Sequence, residues 1–186
     1  VPDRTGIVPR GPTDGMLAIL GDTHGTDGHR LEGRTREAVR AAEKVCHLGD
    51  FTTEAVYEAI AAESGADTAD GTAPLTAVAG NNESPALSDR LPETATVEYE
   101  AATIVLAHGH RRDDTGLGLL AREAAADVVA VGHSHRPGID RLEGRLLLNP
   151  GSHADPRRYR PGHAELDDGT VTIYTPSGER LASATY

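Results

Sequence analysis

A chain of 186 residues can bury a core without disulfides or structural zinc, and its single cysteine excludes both an internal disulfide and a thiolate-rich metal site. Eighteen basic residues against 29 acidic ones give a net charge of −11, which excludes capture of nucleic acid or anionic lipid by a general positive field. Five Tyr, one Phe and no Trp also exclude a surface of stacking aromatics for single-stranded nucleic acid.

Residues 1–15 are rich in Pro and Gly and lack periodicity, so an extended tail is expected ahead of one domain over 16–186. Met16–Leu20 is a short apolar run that stops at Gly21-Asp22. Thr35–Glu43 has helical composition, and Lys44–Leu48 reads as a strand stopping at Gly49-Asp50. Thr52–Glu63 reads as a helix with Thr52 or Thr53 as its N-cap. A polar loop follows over Ser64–Pro74, and Leu75–Ala79 is a strand ending at Gly80-Asn81. Thr94–Glu100 and Thr103–Ala107 alternate like strands around a turn at Ala101-Ala102, and Thr115–Ala126 is an Ala- and Leu-rich helix. Asp127–Val131 is a strand ending at Gly132-His133, and Arg145–Leu148 leads into Asn149-Pro150-Gly151-Ser152. Ala164–Leu166 and Thr170–Tyr174 flank Asp167-Asp168-Gly169, a hairpin signal. Alternating strands and helices, followed by strands joined through hairpins, predict an α/β sandwich of mixed sheets with flanking helices.

The polar residues that end these apolar runs share one chemistry. Asp22 and His24, Asp50, Asn81, His108 and His110, and His133 and His135 each follow a short strand. Strand ends on one edge of an α/β sheet converge on a crevice. Carboxylate, imidazole and amide oxygen without thiolate suit a divalent cation. Glycines beside Asp22, Asp50, Asn81 and His133 allow tight loops and close approach.

GDTHG (21–25), LGD (48–50), GNN (80–82), AHGH (107–110) and GHSH (132–135) resemble the five blocks of the calcineurin-like metallophosphoesterases. The short chain and NPGS (149–152) narrow the resemblance to the small prokaryotic phosphodiesterase branch related to the retromer subunit VPS29. The resemblance implies a sandwich of two mixed sheets. It also implies a first metal on Asp22, His24 and His135, a second on Asn81, His108 and His133, and Asp50 bridging both. Such a centre activates water for in-line attack on phosphorus, with Asp50, Asn81 and His110 in catalytic positions. Manganese is the expected ion, with zinc, iron, nickel and magnesium as alternatives; a small phosphodiester is the expected substrate. The rival implication is a VPS29-like docking scaffold. Larger family members carry His after the Asn of the third block. Here Asn82 stands there and has no proton to give at neutral pH, which leaves His110 as the nearest leaving-group acid or as a supporting residue.

The other candidates are weaker. Glu83 reads equally as a supporting carboxylate or as exposed charge, Arg111 and Arg112 as phosphate contacts or a solvated pair, and His47 and Cys46 as core. His29, His153 and His163 receive no role. No apolar run reaches the roughly 20 residues of a membrane span, no signal-peptide core is visible, and a reducing cytoplasm is the expected compartment. Only Lys44 is a lysine. That scarcity and the acid excess resemble proteins of salt-loving organisms, where molar salt screens carboxylate repulsion.

Overall fold

The computed structural model describes residues 15–65 and 75–186. The tail expected over 1–15 therefore lies, but for Gly15, outside the described residues, as does most of the loop expected over 64–74. The chain alternates first and pairs later. Strand β1 (Leu17–Leu20), helix α1 (Gly33–Ala41), β2 (Lys44–His47), α2 (Glu54–Glu63), β3 (Leu75–Ala77) and α3 (Pro85–Arg90) form the first part. Then come β4 (Thr94–Tyr99), β5 (Ala102–Ala107), α4 (Asp114–Glu123), β6 (Val128–Val131), β7 (Gly138–Leu142), β8 (Arg145–Asn149), β9 (His163–Asp167), β10 (Thr170–Tyr174) and β11 (Arg180–Thr185).

The strands form two mixed sheets, ordered β11-β10-β9-β1-β2-β3 and β4-β5-β6-β8-β7. In the first, β1 runs parallel to β2 and antiparallel to β9; in the second, β5, β6 and β8 run parallel. The period of two along each strand then sorts the side chains. Leu17 and Ile19 of β1 face the central core, where they meet Ile104, Leu106, Leu146 and Leu148 of the other sheet. Leu20, Val45, Val56, Ile60 and Leu87 fill a second layer beneath α2 and α3, and Val105, Val129, Leu117 and Ala121 a third beneath α4. This is the expected α/β sandwich of two mixed sheets. Strands buried on both faces explain why the sequence shows continuous apolar runs there rather than alternation.

Caps settle the helix starts. Thr53, not Thr52, caps α2: its Oγ1 accepts from Val56 N, while Thr52 sits at φ 81, outside any helix. Asp113 caps α4 by accepting from Gly116 N at 2.9 Å. Three elements were not anticipated. Helix α3 opens on Ser84 and Pro85, a cap followed by Pro in the first turn, a signal visible in the sequence. The edge strands β7 and β11 have only partial burial, so the partner strand rather than the local pattern makes them strands. The turn between β4 and β5 also moves back by one residue, to Glu100-Ala101, with Glu100 at φ 52. Among the described residues no helix is long and apolar enough to cross a membrane.

Candidate metal centre

The five strand ends expected on one sheet edge are shared between two sheets. Loops after β1, β2 and β3 come from the first sheet, and those after β5 and β6 from the second. Each set is zipped internally by backbone bonds: Asp22 N donates to Gly49 O (3.0 Å), His24 N to Asp50 O (2.9 Å), and Gly132 N to His108 O (3.2 Å). Two contacts then join the sheets. His133 N donates to Asp22 Oδ1 (3.1 Å) and His108 Nδ1 to Leu48 O (2.7 Å).

Five of the seven expected ligands adopt the left-handed conformation: Asp22 (φ 54), His24 (41), Asp50 (61), His133 (66) and His135 (57). Asp and His are among the side chains that tolerate this region best, at about 1 kcal/mol or more per residue. The turn lets a chain leaving a strand fold its side chain back across the strand end. Two glycines make the approach possible. Gly49 lies at φ 90, and a Cβ on Gly80 would stand 2.1 Å from Asp50 Oδ1.

The ring orientations follow from hydrogen bonds on their far sides. A carbonyl only accepts, so Nδ1 of His108 carries the proton donated to Leu48 O, and Nδ1 of His135 donates to Asp155 O. Each neutral ring therefore directs an unprotonated Nε2 inward. There His108 Nε2 faces Asn81 Oδ1 at 3.0 Å and Asp50 Oδ2 at 3.4 Å. His24 Nε2 stands 3.2 Å from His135 Nε2 and 3.3 Å from Asp50 Oδ2. Donor atoms of Asp22, His24 and His135 lie within 4.8 Å of one another, as do those of Asp22, Asp50 and His108. His133 is exposed, with its ring 5.2 Å from that of His108. His110 lies 5.3 Å from His108 and 6.1 Å from His133, with a buried, unpartnered Nδ1.

Such a set of inward lone pairs calls for positive charge. Asp22 Oδ2 is buried without a hydrogen-bond partner, and burial pushes this carboxyl up to about 7 despite the opposing His108. Burial works the same way on Asp50, but hydrogen bonds from His108, His24 and Asn82 prevail and hold it well below the carboxylate range. The hydrogen bond to Asp50 raises His24. Burial opposes the same effect on His108, which is nonetheless raised. Burial, with repulsion from His108, lowers His110 and His133; burial and nearby Arg157 lower His135 against its bond to Asp155. Residue chemistry, convergence and the orphaned carboxylate oxygen all fit divalent metal.

Several supporting residues stand out only in three dimensions. Glu83, undecided from sequence, accepts through Oε1 from the backbone N–H groups of Asp50 (2.7 Å), Gly80 (3.1 Å) and Phe51 (3.3 Å), and through Oε2 from Thr52 (3.0 Å). Asn82 turns inward and donates from N and Nδ2 to the two oxygens of Asp50, at 2.9 and 2.8 Å. Ser152 Oγ donates to Asp22 O at 2.7 Å, and Asn149 Nδ2 to Gly132 O at 2.8 Å, so NPGS buttresses two of the candidate ligand loops. His47 is fully buried, accepting from Gly49 N and stacking on Phe51 at 3.7 Å. Cys46 is buried in the central core, where burial pushes the thiol up to about 12. Arg111 pairs with Glu93 on the surface. His163, unassigned from sequence, joins a buried group away from the centre: it bonds Thr35 and Glu165, and Glu165 takes both arms of Arg34.

The family profile described as the calcineurin-like phosphoesterase superfamily domain matches residues 16–168. A probable metallophosphoesterase of Methanothermobacter thermautotrophicus is 30% identical over 170 residues, covering 89% of this chain and 88% of that protein. Among solved structures, an archaeal phosphodiesterase superposes with a TM-score of 0.61 at 20% identity, over 92% of this chain and 99% of its own. Wild-type Vps29 of Entamoeba histolytica, complexed with zinc, superposes with a TM-score of 0.65 at 21% identity, over 91% and 98%.

Proposed function

The chain belongs to the calcineurin-like phosphoesterase superfamily, and from that membership we propose that it is a metal-dependent phosphodiesterase, with residues 16–186 as one catalytic domain. The observation that carries the reading is the inward convergence of the His24, His108 and His135 Nε2 atoms on the carboxylates of Asp22 and Asp50. In this reading Asp22, His24 and His135 would hold one divalent ion and Asn81, His108 and His133 a second, with Asp50 serving both sets. Manganese is the ion we propose, since oxygen and imidazole donors without thiolate accept it readily. When bound, two such ions supply Lewis acidity toward a phosphoryl oxygen and toward the attacking water.

The chain's own residues account for the rest. Asn82 and Glu83 fix Asp50 and its loop, so this carboxylate is held in place before substrate arrives. His110 stands at the rim, and its lowered pKa keeps it neutral near pH 7. Protonation of a poor leaving group there is correspondingly weak, which favours diesters with acidic leaving groups. The acidic, lysine-poor composition supports work at high salt, and a cytoplasm is the compartment we propose.

A Vps29-like docking scaffold is the second reading, favoured by the shared fold. Metal binding alone does not separate the two, because that Vps29 was itself complexed with zinc; turnover does. The test is hydrolysis of bis(p-nitrophenyl) phosphate in high salt, after chelation and after adding manganese, with the monoester beside it. Manganese-restored diester cleavage, abolished by Asp50→Asn or His133→Ala in a folded protein, is the expected result. No turnover with any divalent ion would leave the scaffold.

A further inference from the structure

A cleft of about 540 Å³ opens beside the candidate centre at His24, and Thr26, Asp27, Gly28, Arg30 and Thr52 line it. Its walls are the loops after β1 and β2. His24 N donates to Asp50 O (2.9 Å), Gly25 N to Phe51 O (3.3 Å) and Thr53 Oγ1 to Thr26 O (2.9 Å), which ties the two loops together. Thr52, at φ 81, is held by its N–H bond to Glu83 Oε2 at 3.0 Å. Arg30 donates to Ala154 O, one residue before Asp155, whose carbonyl orients His135. The cleft is therefore formed before any ligand enters, and it reaches a candidate metal ligand directly.

Its chemistry is narrow. Among the described residues it offers the hydroxyls of Thr26 and Thr52, the carboxylate of exposed Asp27, the guanidinium of Arg30 and the peptide groups of two glycines, with no aliphatic, Phe or Tyr side chain. The one ring present, His24, stacks on His135 with centroids 5.0 Å apart. A nucleobase would find no apolar platform there. One carboxylate and one guanidinium sum to zero charge, so a second phosphate finds no net attraction. Vicinal hydroxyls suit this lining, because each can donate to Asp27 and accept from Thr or Arg30. A second cleft, of about 320 Å³ beside Ser134, is lined by none of the candidate ligands, and its Ser134 and Asn149 bond each other at 3.0 Å.

We propose that the cleft at His24 receives a polyhydroxylated arm of the phosphodiester, of the glycerol or sugar type, and so selects the substrate. The proposal rests on the phosphodiesterase reading and adds the class of alcohol esterified to the phosphate. Gly28 offers a direct way to fill the cleft. A Cβ there meets nothing within 4 Å, and its backbone lies outside the left-handed region, so a larger side chain projects into open space at the cleft wall without strain.

The experiment is calorimetric titration of sn-glycerol 3-phosphate and of methyl phosphate, monoesters of equal charge, into manganese-loaded protein at constant KCl. Wild type should bind glycerol phosphate roughly tenfold more tightly, the effect of one or two net hydrogen bonds. Gly28→Phe should bring the two esters within about twofold by excluding the arm, with methyl phosphate bound as in wild type. Asp27→Ala should cut the preference by about threefold or more. Gly138→Phe, with equally open space in the cleft beside Ser134, is the control and should keep it. Circular dichroism and manganese content of the variants should match wild type. Wild type binding neither ester, or both within about twofold, would overturn the proposal. So would a preference that survives both Gly28→Phe and Asp27→Ala, or one that only Gly138→Phe removes. A cleft-dependent preference without diester turnover would keep the site and remove the hydrolase; diester turnover without the preference would do the reverse.

Discussion

Replacing Glu83 with Ala removes a carboxylate that accepts from four backbone N–H groups at 2.7–3.3 Å. Three of those groups belong to consecutive residues, Asp50 to Thr52, and two of the three have left-handed backbones that need outside support. A hydrogen bond to a charged group contributes roughly 1.5–3 kcal/mol, and the four share one side chain, so they do not add. Water reaches part of the vacated space, because Glu83 is only half-buried. The net loss should be about 3 kcal/mol, or about 6–12 °C in melting temperature for a domain of this size. Glu83 touches no expected ligand atom except through the backbone, so metal affinity should fall about 10- to 100-fold as the loop loosens. Chelated and manganese-loaded samples of wild type and Glu83→Ala would be melted side by side, with affinity measured by calorimetry. A melting temperature within 2 °C of wild type together with unchanged metal affinity would refute the reasoning.

Gly80→Ala places a methyl 2.1 Å from Asp50 Oδ1 and 2.4 Å from Asp50 N; elemental analysis should show lost metal, whereas Gly28→Ala, with open space around it, keeps wild-type content. In metal-free protein, the folded pKa of Asp22 lies near 7 and its ordinary value near 3.8, so the folded state holds the extra proton and stability falls as pH rises between those values. Asp22→Asn should therefore gain about 3 kcal/mol relative to wild type between pH 5 and pH 8 in urea titrations, a gain that added manganese erases by stabilising wild type alone. Thermal melts against KCl should rise beyond physiological salt as the −11 net charge is screened; a flat curve removes the high-salt reading.

Sequence by itself determined the element order of the first half except for α3, the sandwich, and which residues are candidate metal ligands. Short apolar runs bounded by Gly-Asp, Gly-Asn and Gly-His carry those signals locally, and a strand end must place the next polar residue in a loop. Backbone demands are similarly local, as in Ser84-Pro85 opening α3, where two adjacent residues carry the whole signal. Tertiary structure alone decided that the ligand loops come from two sheets, because strand order depends on pairing between distant segments. It also decided which nitrogen each histidine presents, since Leu48 O and Asp155 O select the tautomers of His108 and His135 from 60 and 20 residues away. Glu83 and Asn82 carry no local signature of the contacts they make. A carboxylate, an amide, a hydroxyl or a guanidinium acquires its role from the atoms that folding brings within hydrogen-bond or Coulomb range, and separation along the chain does not encode that distance.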